Sequence, residues 1–580
     1  MELLPTAHVD TFCRDWLPPA DQWPDLRFDL PELAYPDRLN CAEVLLDATI
    51  ARYGAHRRCL VSPSGQWTYA EVLRRAGAIA QVLVEDFGLV PGNRVLLRGP
   101  NNPWLAACWL GVIRAGGVAV PTMPLLRAGE LATVCDIARI DLACCDARFT
   151  ADLAAAGVPG LRLIAYGGDR PDDLVQRCAA KSGEFTPVRT AADDVAMLAF
   201  TSGTTGRPKA TMQLHREIVA VADTFGRYLL ESTSDDLFTG SPPLAFTYGL
   251  GSLLIFPLRV GAASLLLERA TPDVLPGAIA EHGATVLSTS PTGYRMMLAA
   301  GQAPQLASLR CCVSAGEPLP RSVWEAFHRA TGLRIIDGIG STEMLHIFIS
   351  AAGDDIRPGS TGRPVPGYQA AVLDDAGQPV PDGTIGRLAV KGPTGCCYLA
   401  DERQRTYVRD GWNLTGDTYL RDADGYYWYQ ARSDDMIISA GYNIAGPEVE
   451  EALLAHPDVA DCGVVGAPDP NRGMIVAAYV VLRGGVPADP AARAAALQDF
   501  VKQRIAPYKY PRSVTFVEAL PRTNTGKLQR YRLRDQARAA SAPSAPAASA
   551  VPMEPADSAP AAAGSAAPAQ PDAPAPSAPH

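Results

Sequence analysis

Residues 195–209 restrict the fold more than any other stretch. An unbroken apolar run, Val195-Ala196-Met197-Leu198-Ala199-Phe200, ends in Thr201-Ser202-Gly203-Thr204-Thr205-Gly206-Arg207-Pro208-Lys209. This reads as a strand delivering a hydroxyl- and glycine-rich loop. The glycines let the backbone approach a bound group closely, the hydroxyls supply donors, and Lys209 adds a compact positive charge, a combination suited to a polyphosphate. A flexible Ser/Thr/Gly surface turn has the same composition, so the loop alone leaves both readings open. A Walker loop needs four residues between its glycines and a Lys directly after the second. Here Gly203 and Gly206 are closer, and Arg207-Pro208 precede Lys209, so the loop is not of that type.

The surrounding chain alternates between helical and strand patterns. Apolar residues recur at helical spacing over 42–53 and 69–87, while 94–98, 118–121, 141–145 and 161–165 read as short strands. That alternation predicts a mostly parallel sheet with covering helices, whose ligands bind beyond the carboxyl ends of the strands. Further strands are predicted at 284–288, at 309–314 ending in Ala315-Gly316-Glu317, and at 333–337 leading into the loop Gly338-Ile339-Gly340-Ser341-Thr342-Glu343. Two strand-and-glycine units carrying carboxylates, together with the 201–209 loop, favour one shared cleft. Phe246 and Tyr248 fall in a predicted loop over 242–251, where buried packing is the plain reading of an aromatic pair.

Beyond residue 359 the pattern changes to short β segments, 369–373 and 386–391, which suggest a small barrel-like subdomain. A new unit opens near 436, with a helix over 447–456, strands over 461–466 and 475–482, and a loop over 519–527. The resulting fold class is α/β plus α+β. A large N-terminal domain of layered, parallel-rich sheets (1–433) precedes a small mobile C-terminal domain (434–536) and a disordered Ala/Pro/Ser tail (537–580) without aromatic residues. Residues 1–40 read as an irregular arm laid on the first domain.

At 580 residues the chain exceeds one core, and 47% hydrophobic with 20% charged residues is ordinary for a soluble globular protein. A net charge of −10 argues against a nucleic-acid partner. The apolar runs are too short or too interrupted for a membrane span, the N-terminus lacks the pattern of a signal peptide, and the thirteen Cys show no metal or disulfide spacing. A cytoplasmic location with reduced thiols is expected, and monomer and homodimer both remain open.

In order and spacing these motifs resemble the adenylate-forming enzymes, which comprise acyl- and aryl-CoA ligases, peptide-synthetase adenylation domains and luciferases. The likeness spans residues 40–535. It implies that Thr201, Ser202, Gly203, Thr204, Thr205, Gly206 and Lys209 cradle the phosphates of ATP, and that Ala315, Gly316 and Glu317 meet adenine and ribose. In Gly340-Ser341-Thr342-Glu343, the Thr342 hydroxyl would bond a phosphate oxygen. Glu343 would hold Mg2+, a hard cation that prefers carboxylate oxygen. Asp417 and Arg432 would contact ribose, Asp434 would be the domain hinge, Lys527 would reach in for adenylation, and the Gly441 segment would serve the coenzyme A step. Where the family often stacks an aromatic on adenine this chain has Ile339, so Asp337, Gly338 and Ile339 offer an aliphatic surface. Benzoate-type ligases look similar there and through Met344-Leu345-His346-Ile347-Phe348. Phe246, Tyr248, Gly249 and His346 match acid-pocket positions. Residues 12–19 and 242–251 look most like the 2-aminobenzoate-CoA ligases.

The implied chemistry is an acid–thiol ligation in which a small aromatic carboxylate is activated as an aryl-AMP and passed to coenzyme A. A carrier-protein-loading enzyme would share every nucleotide motif, yet Asp557-Ser558 is followed by Ala559 rather than the Leu of a phosphopantetheine site. A nucleotide sensor without catalysis would be expected to lack Glu343 or Lys527, and both are present.

Overall fold

A computed structural model of the chain describes residues 3–201, 208–432, 435–439, 442–469, 472–522 and 528–541. The predicted N-terminal strands form as Arg94–Arg98, Val118–Thr122, Leu142–Asp146 and Arg162–Tyr166, each with an apolar centre. With Val195–Thr201 and Lys209–Leu214 they make a six-stranded sheet. It is ordered 162–166, 142–146, 94–98, 118–122, 195–201, 209–214 and is parallel except for the last pair. The loop after Phe200 therefore spans an antiparallel hairpin.

The helices that cover this sheet start where side chains cap them. Thr68 and Glu71 close a capping box on Tyr69–Gln81, and Asn102 accepts from the Leu105 amide at the start of Pro103–Arg114. These contacts satisfy backbone donors that a helix start leaves open.

A second sheet of nine strands runs Arg363–Pro364, Ile347–Ser350, Ile335–Gly340, Cys311–Ser314, Val286–Thr289, Leu237–Gly240, Ala263–Leu265, Arg58–Ser62, Gly65–Thr68. Its interior pairs are parallel and its two ends antiparallel. The sequence predicts a glycine loop from Gly338, but the strand continues through Gly338-Ile339-Gly340 and pairs with Ile347–Ser350. The glycines are needed for close packing instead. A Cβ on Gly338 would lie 2.6 Å from the Ile347 side chain, and one on Gly340 would lie 2.6 Å from the His346 carbonyl oxygen. The predicted loop around Tyr248 is likewise helical, over Thr247–Leu250, and continues through the π-turn Gly251–Ile255 into Phe256–Val260.

The short β segments after residue 359 form a five-stranded antiparallel sheet that includes Gln369–Leu373, Ile385–Lys391, Trp412–Arg421 and Tyr427–Arg432. The C-terminal unit is α+β. Val459–Asp469 and Gly473–Leu482 form a long antiparallel pair, Ser513–Phe516 adds in parallel, and Gly446–Leu454 and Pro490–Lys502 cover one face through Val449, Leu453, Leu497 and Val501. Arg530–Ser541 covers the other face with Leu533 and Ala537. That helix crosses residue 537, where the sequence predicts the tail to begin; the tail from 542 lies outside the described residues.

The N-terminal arm packs on the large domain without adding a strand, through apolar contacts of Phe12, Cys13, Leu17 and Trp23 and through polar ones. Leu4 and Ala7 donate backbone N–H groups to Asp193 and Asp194, Arg14 stands 3.6 and 3.8 Å from the same two carboxylates, and Asp25 pairs with Lys391 at 3.2 Å. Among the described residues no helix is long and apolar enough to cross a membrane, and the thirteen cysteines are buried and unpaired.

Candidate functional site

The carboxyl ends of Val195–Thr201, Cys311–Ser314 and Ile335–Gly340 carry the predicted motif residues. Thr201 has a buried hydroxyl without a hydrogen-bond partner. Lys209, on the returning strand of the hairpin, pairs with Glu343 at 3.2 Å. Between them stands Tyr398, whose hydroxyl accepts from Lys209 Nζ and donates to Glu343 Oε1 at 2.6 Å. Burial first, then the neighbouring Cys396 and Glu343, raises the Tyr398 phenol far above its ordinary value, so it keeps its proton and can donate. Gln213 on the Lys209 strand donates to the Thr342 carbonyl at 3.0 Å, which ties the two motifs together. Ser341 meets the Tyr407 hydroxyl at 3.3 Å and accepts from the Met344 amide.

Behind this cluster Glu217 is buried and accepts the backbone N–H groups of Leu214 and Gly395. Burial, only partly offset by those two donors, pushes its carboxyl up to about 7.

Glu317 accepts from the Thr292 hydroxyl at 2.7 Å while its other oxygen is buried without a hydrogen bond. Gly316, beside buried Ala315, has φ of 89°, a conformation that glycine adopts without strain. Asp337 ends its parallel pairing opposite Ser314, and its shielded Oδ1 lacks a partner. Burial pushes that carboxyl up to about 7, against the opposing Ser314 hydroxyl and Gly338 amide. Ile339 lies half-buried opposite Ile349. On the five-stranded sheet Asp417 and Arg432 are register partners, and Arg432 donates to Asp417 Oδ1 at 3.2 Å.

The aromatic end of the site surrounds His346. Its ring lies 4.6 Å from Phe256, 5.4 Å from Phe225 and 5.7 Å from Tyr248, centroid to centroid. Neither ring nitrogen makes a hydrogen bond, and burial pushes the imidazole down to about 3. The Tyr248 backbone opposes that shift without reaching ordinary hydrogen-bond geometry, so the ring is neutral. Tyr248 is fixed by its single hydroxyl hydrogen, shared between the Thr289 and Val313 carbonyls at 3.3 and 3.2 Å. Phe246 precedes the helix and is half-buried. The bare face of Gly249 is turned to the Pro243 carbonyl, 2.1 Å from where a Cβ would stand, while Gly251 makes the room for His346, 2.3 Å from such a Cβ.

The small domain reaches this surface through charge. Arg522 bonds Asp461 at 2.7 Å and stands 3.7 Å from Glu317, and Arg295 of the large domain bonds the same Asp461 at 3.1 Å. Burial works against it, yet the two guanidiniums hold the Asp461 carboxyl below its ordinary range.

The structure thus brings Thr201, Lys209, Thr342, Glu343, Glu317 and Asp337 to one set of strand ends, with His346 and Tyr248 beside them. Ser202, Gly203, Thr204, Thr205, Gly206, Asp434, Gly441 and Lys527 lie outside the described residues. Sequence reasoning passed over Tyr398, Tyr407, Gln213, Phe225 and Phe256. Gly251 and Arg522 had a signal, since they stand in the stretches singled out at 242–251 and 519–527.

Residues 46–397 match the family model described as AMP-binding enzyme, and residues 448–527 match that of the AMP-binding enzyme C-terminal domain. A benzoate–CoA ligase of Thauera aromatica is 34% identical over 517 residues, covering 87% of this chain and 97% of that protein. The crystal structure of the anthranilate CoA ligase AuaEII in complex with anthranoyl-AMP is similar with a TM-score of 0.83 and 32% identity, over 88% of this chain and 99% of that one. A benzoate CoA ligase from Burkholderia xenovorans LB400 gives a TM-score of 0.78 at 34% identity, covering 86% of this chain and all (100%) of that one.

Proposed function

The chain belongs to the AMP-binding enzyme family as an AMP-forming acid–CoA ligase, and we propose that its acid is a small aromatic carboxylate, with 2-aminobenzoate preferred. The observation that carries this reading is the enclosure of a neutral His346 by Phe225, Phe256 and Tyr248 beside the strand ends that hold Glu343 and Asp337. Such a cluster is an apolar aromatic wall carrying a polar ring that lacks a partner. A benzene ring would pack against that wall, and an ortho-amino group would give an imidazole nitrogen the hydrogen bond it lacks.

In the first half-reaction a carboxylate oxygen attacks the α-phosphorus of ATP and pyrophosphate leaves. Lys209 lies where the departing phosphates gather charge, and Lys527 supplies a second cation. Thr201 and Thr342 present hydroxyls to phosphate oxygens, Glu317 and Asp337 face the base, and Asp417 with Arg432 faces the ribose. The buried Thr201 hydroxyl and the shielded oxygen of Asp337, both without partners, fit a polar nucleotide. Glu343, a carboxylate on the Lys209 side of the site, fits a hard cation, and Mg2+ held there would offset charge on the phosphates. In the second half-reaction the coenzyme A thiolate attacks the acyl carbonyl and AMP departs. A turn of the small domain about Asp434 would exchange the Lys527 loop for the Gly441 segment.

Burying a phenyl ring is worth about 2–3 kcal/mol, enough to separate benzoates from short aliphatic acids by roughly two orders of magnitude. One neutral hydrogen bond to the ortho-amino group adds about 0.5–1.5 kcal/mol, or roughly tenfold at most. Steady-state constants for 2-aminobenzoate, benzoate, 2-hydroxybenzoate and hexanoate test this ordering. The highest kcat/KM on hexanoate would overturn the aryl pocket, and equality of benzoate and 2-aminobenzoate would remove the ortho-amino contact.

A further inference from the structure

We propose that Tyr398 is a positioning residue for the ATP half-reaction, its hydroxyl keeping the Glu343 carboxylate in place when Lys209 turns from that carboxylate to an incoming phosphate. Tyr398 belongs to none of the motifs that identify the site. Among the described residues it is nonetheless the side chain that touches both charges, accepting from Lys209 and donating to Glu343 Oε1 at 2.6 Å. A phenol has one hydrogen to give and lone pairs to receive, so both contacts are made at once.

The hydroxyl is held where it is by its own backbone. Residues 397–399 run beside the Lys209 strand, with Met212 donating to the Cys397 carbonyl at 2.8 Å and Leu399 donating to the Ala210 carbonyl at 2.9 Å. The Tyr398 amide donates to Gln404 Oε1 at 2.8 Å, and the ring packs edge-on to Tyr407 at 5.7 Å with Lys209 Nζ 4.3 Å from its centroid. The residue is 1% exposed. With so many constraints the phenol cannot follow a moving partner, and it acts as a fixed post.

Without nucleotide, Lys209 and Glu343 neutralise each other at 3.2 Å. A triphosphate competes for the ammonium. Once Lys209 has turned, Tyr398 is the donor left on Glu343 among the described contacts, and a buried carboxylate without a donor would swing away. The inference rests on the roles proposed above for Lys209 and Glu343, and is independent of which acid is activated.

Tyr398→Phe in the full chain removes the hydroxyl and keeps the ring. Acid-dependent exchange of pyrophosphate into ATP should fall about ten- to a hundredfold in kcat, the range for a hydrogen bond to a charged group. KM for the acid, thioester formation from synthetic acyl-AMP, and calorimetric binding of coenzyme A should all stay within about threefold, because none of these uses the displaced carboxylate. In a Glu343→Gln background the Phe change should add less than about threefold, since the partner charge is already gone. Exchange within about threefold of the parent, equal losses in both half-reactions, or single-variant losses that multiply in the double variant would each overturn the proposal. A parent protein that activates only non-aryl acids would sink the aryl reading instead, and the same comparison would then be run with the acid it accepts.

Discussion

The two ends of the cleft handle polarity in opposite ways. At the Lys209 end the charges of the described residues are paired: ammonium, carboxylate and phenol form a closed triangle, and Gln213 donates to the Thr342 carbonyl behind it. At the His346 end a polar ring is sealed among Phe225, Phe256 and Tyr248 with both nitrogens unsatisfied. A closed triangle can exchange one partner for another without leaving a bare charge, which suits a step in which phosphate charge arrives and departs. An unsatisfied neutral ring costs free energy until something binds, and so rewards one ligand over its neighbours. The first arrangement serves any acid, whereas the second chooses among acids.

The sharpest way to break the contrast is to remove a cation from the phosphate end. Lys527→Ala should slow pyrophosphate exchange by about a hundred- to a thousandfold while sparing thioester formation from synthetic acyl-AMP. Single-turnover assays of the two half-reactions check this, and equal losses would show that the lysine does not belong to the phosphate end.

The next largest effect concerns Glu217, whose burial raises its carboxyl to about 7 from an ordinary 4.5. The folded state therefore binds this proton more tightly than the unfolded chain does. Its stabilising contribution is full below pH 4.5 and is lost as pH rises through about 7. Glu217→Gln cannot ionise, so the variant should gain on the parent between pH 5 and 8 by up to about 3 kcal/mol. Urea unfolding at the two pH values reads the difference, and a constant offset would mean that the carboxyl does not titrate there.

His346→Leu, similar in volume and without nitrogens, tests the aromatic end. The preference for 2-aminobenzoate over benzoate should shrink by up to about tenfold while KM for ATP is unchanged. A preference that survives would place the ortho-amino contact elsewhere.

Smallest is Arg295→Ala, which cuts one partner from Asp461 at the domain boundary and touches neither end of the cleft. A partly exposed pair of this kind is worth about 0–1 kcal/mol, so exchange should change by no more than about fivefold and acid preference not at all. A shift in acid preference would show that domain docking reaches the pocket.

How much of this was legible in the sequence followed the range of the contacts. Arg94–Arg98, Val118–Thr122 and Cys311–Ser314 were readable because strands buried on both faces are short, continuous apolar runs. Gly338 and Gly340 misled because a glycine opening space for a neighbouring strand looks, in one dimension, like a glycine opening a turn. Tyr248 was placed in a loop because Pro242-Pro243 and two nearby glycines outweighed a helix whose length lies mostly beyond it. The motif residues near Lys209 and Glu343 stood out by resemblance. Tyr398 did not, since its partners lie 189 and 55 residues away and no local pattern records them.

The N-terminal arm has a consequence for how the chain is made. Leu4, Thr6 and Ala7 reach across 187 to 189 positions to Asp193 and Asp194, and Asp25 reaches across 366 to Lys391. On the ribosome this arm emerges first, and Val9 and Asp10 can meet Pro91, Asn93 and Arg94 early, but the anchors of Leu4, Thr6 and Ala7 come only at the foot of the strand Val195–Thr201, and that of Asp25 later still. The first seven residues of the chain are therefore among the last to settle. Closing so long a loop is slow relative to local helix formation, and a nascent chain stalled before residue 193 would hold a sheet without its clasp.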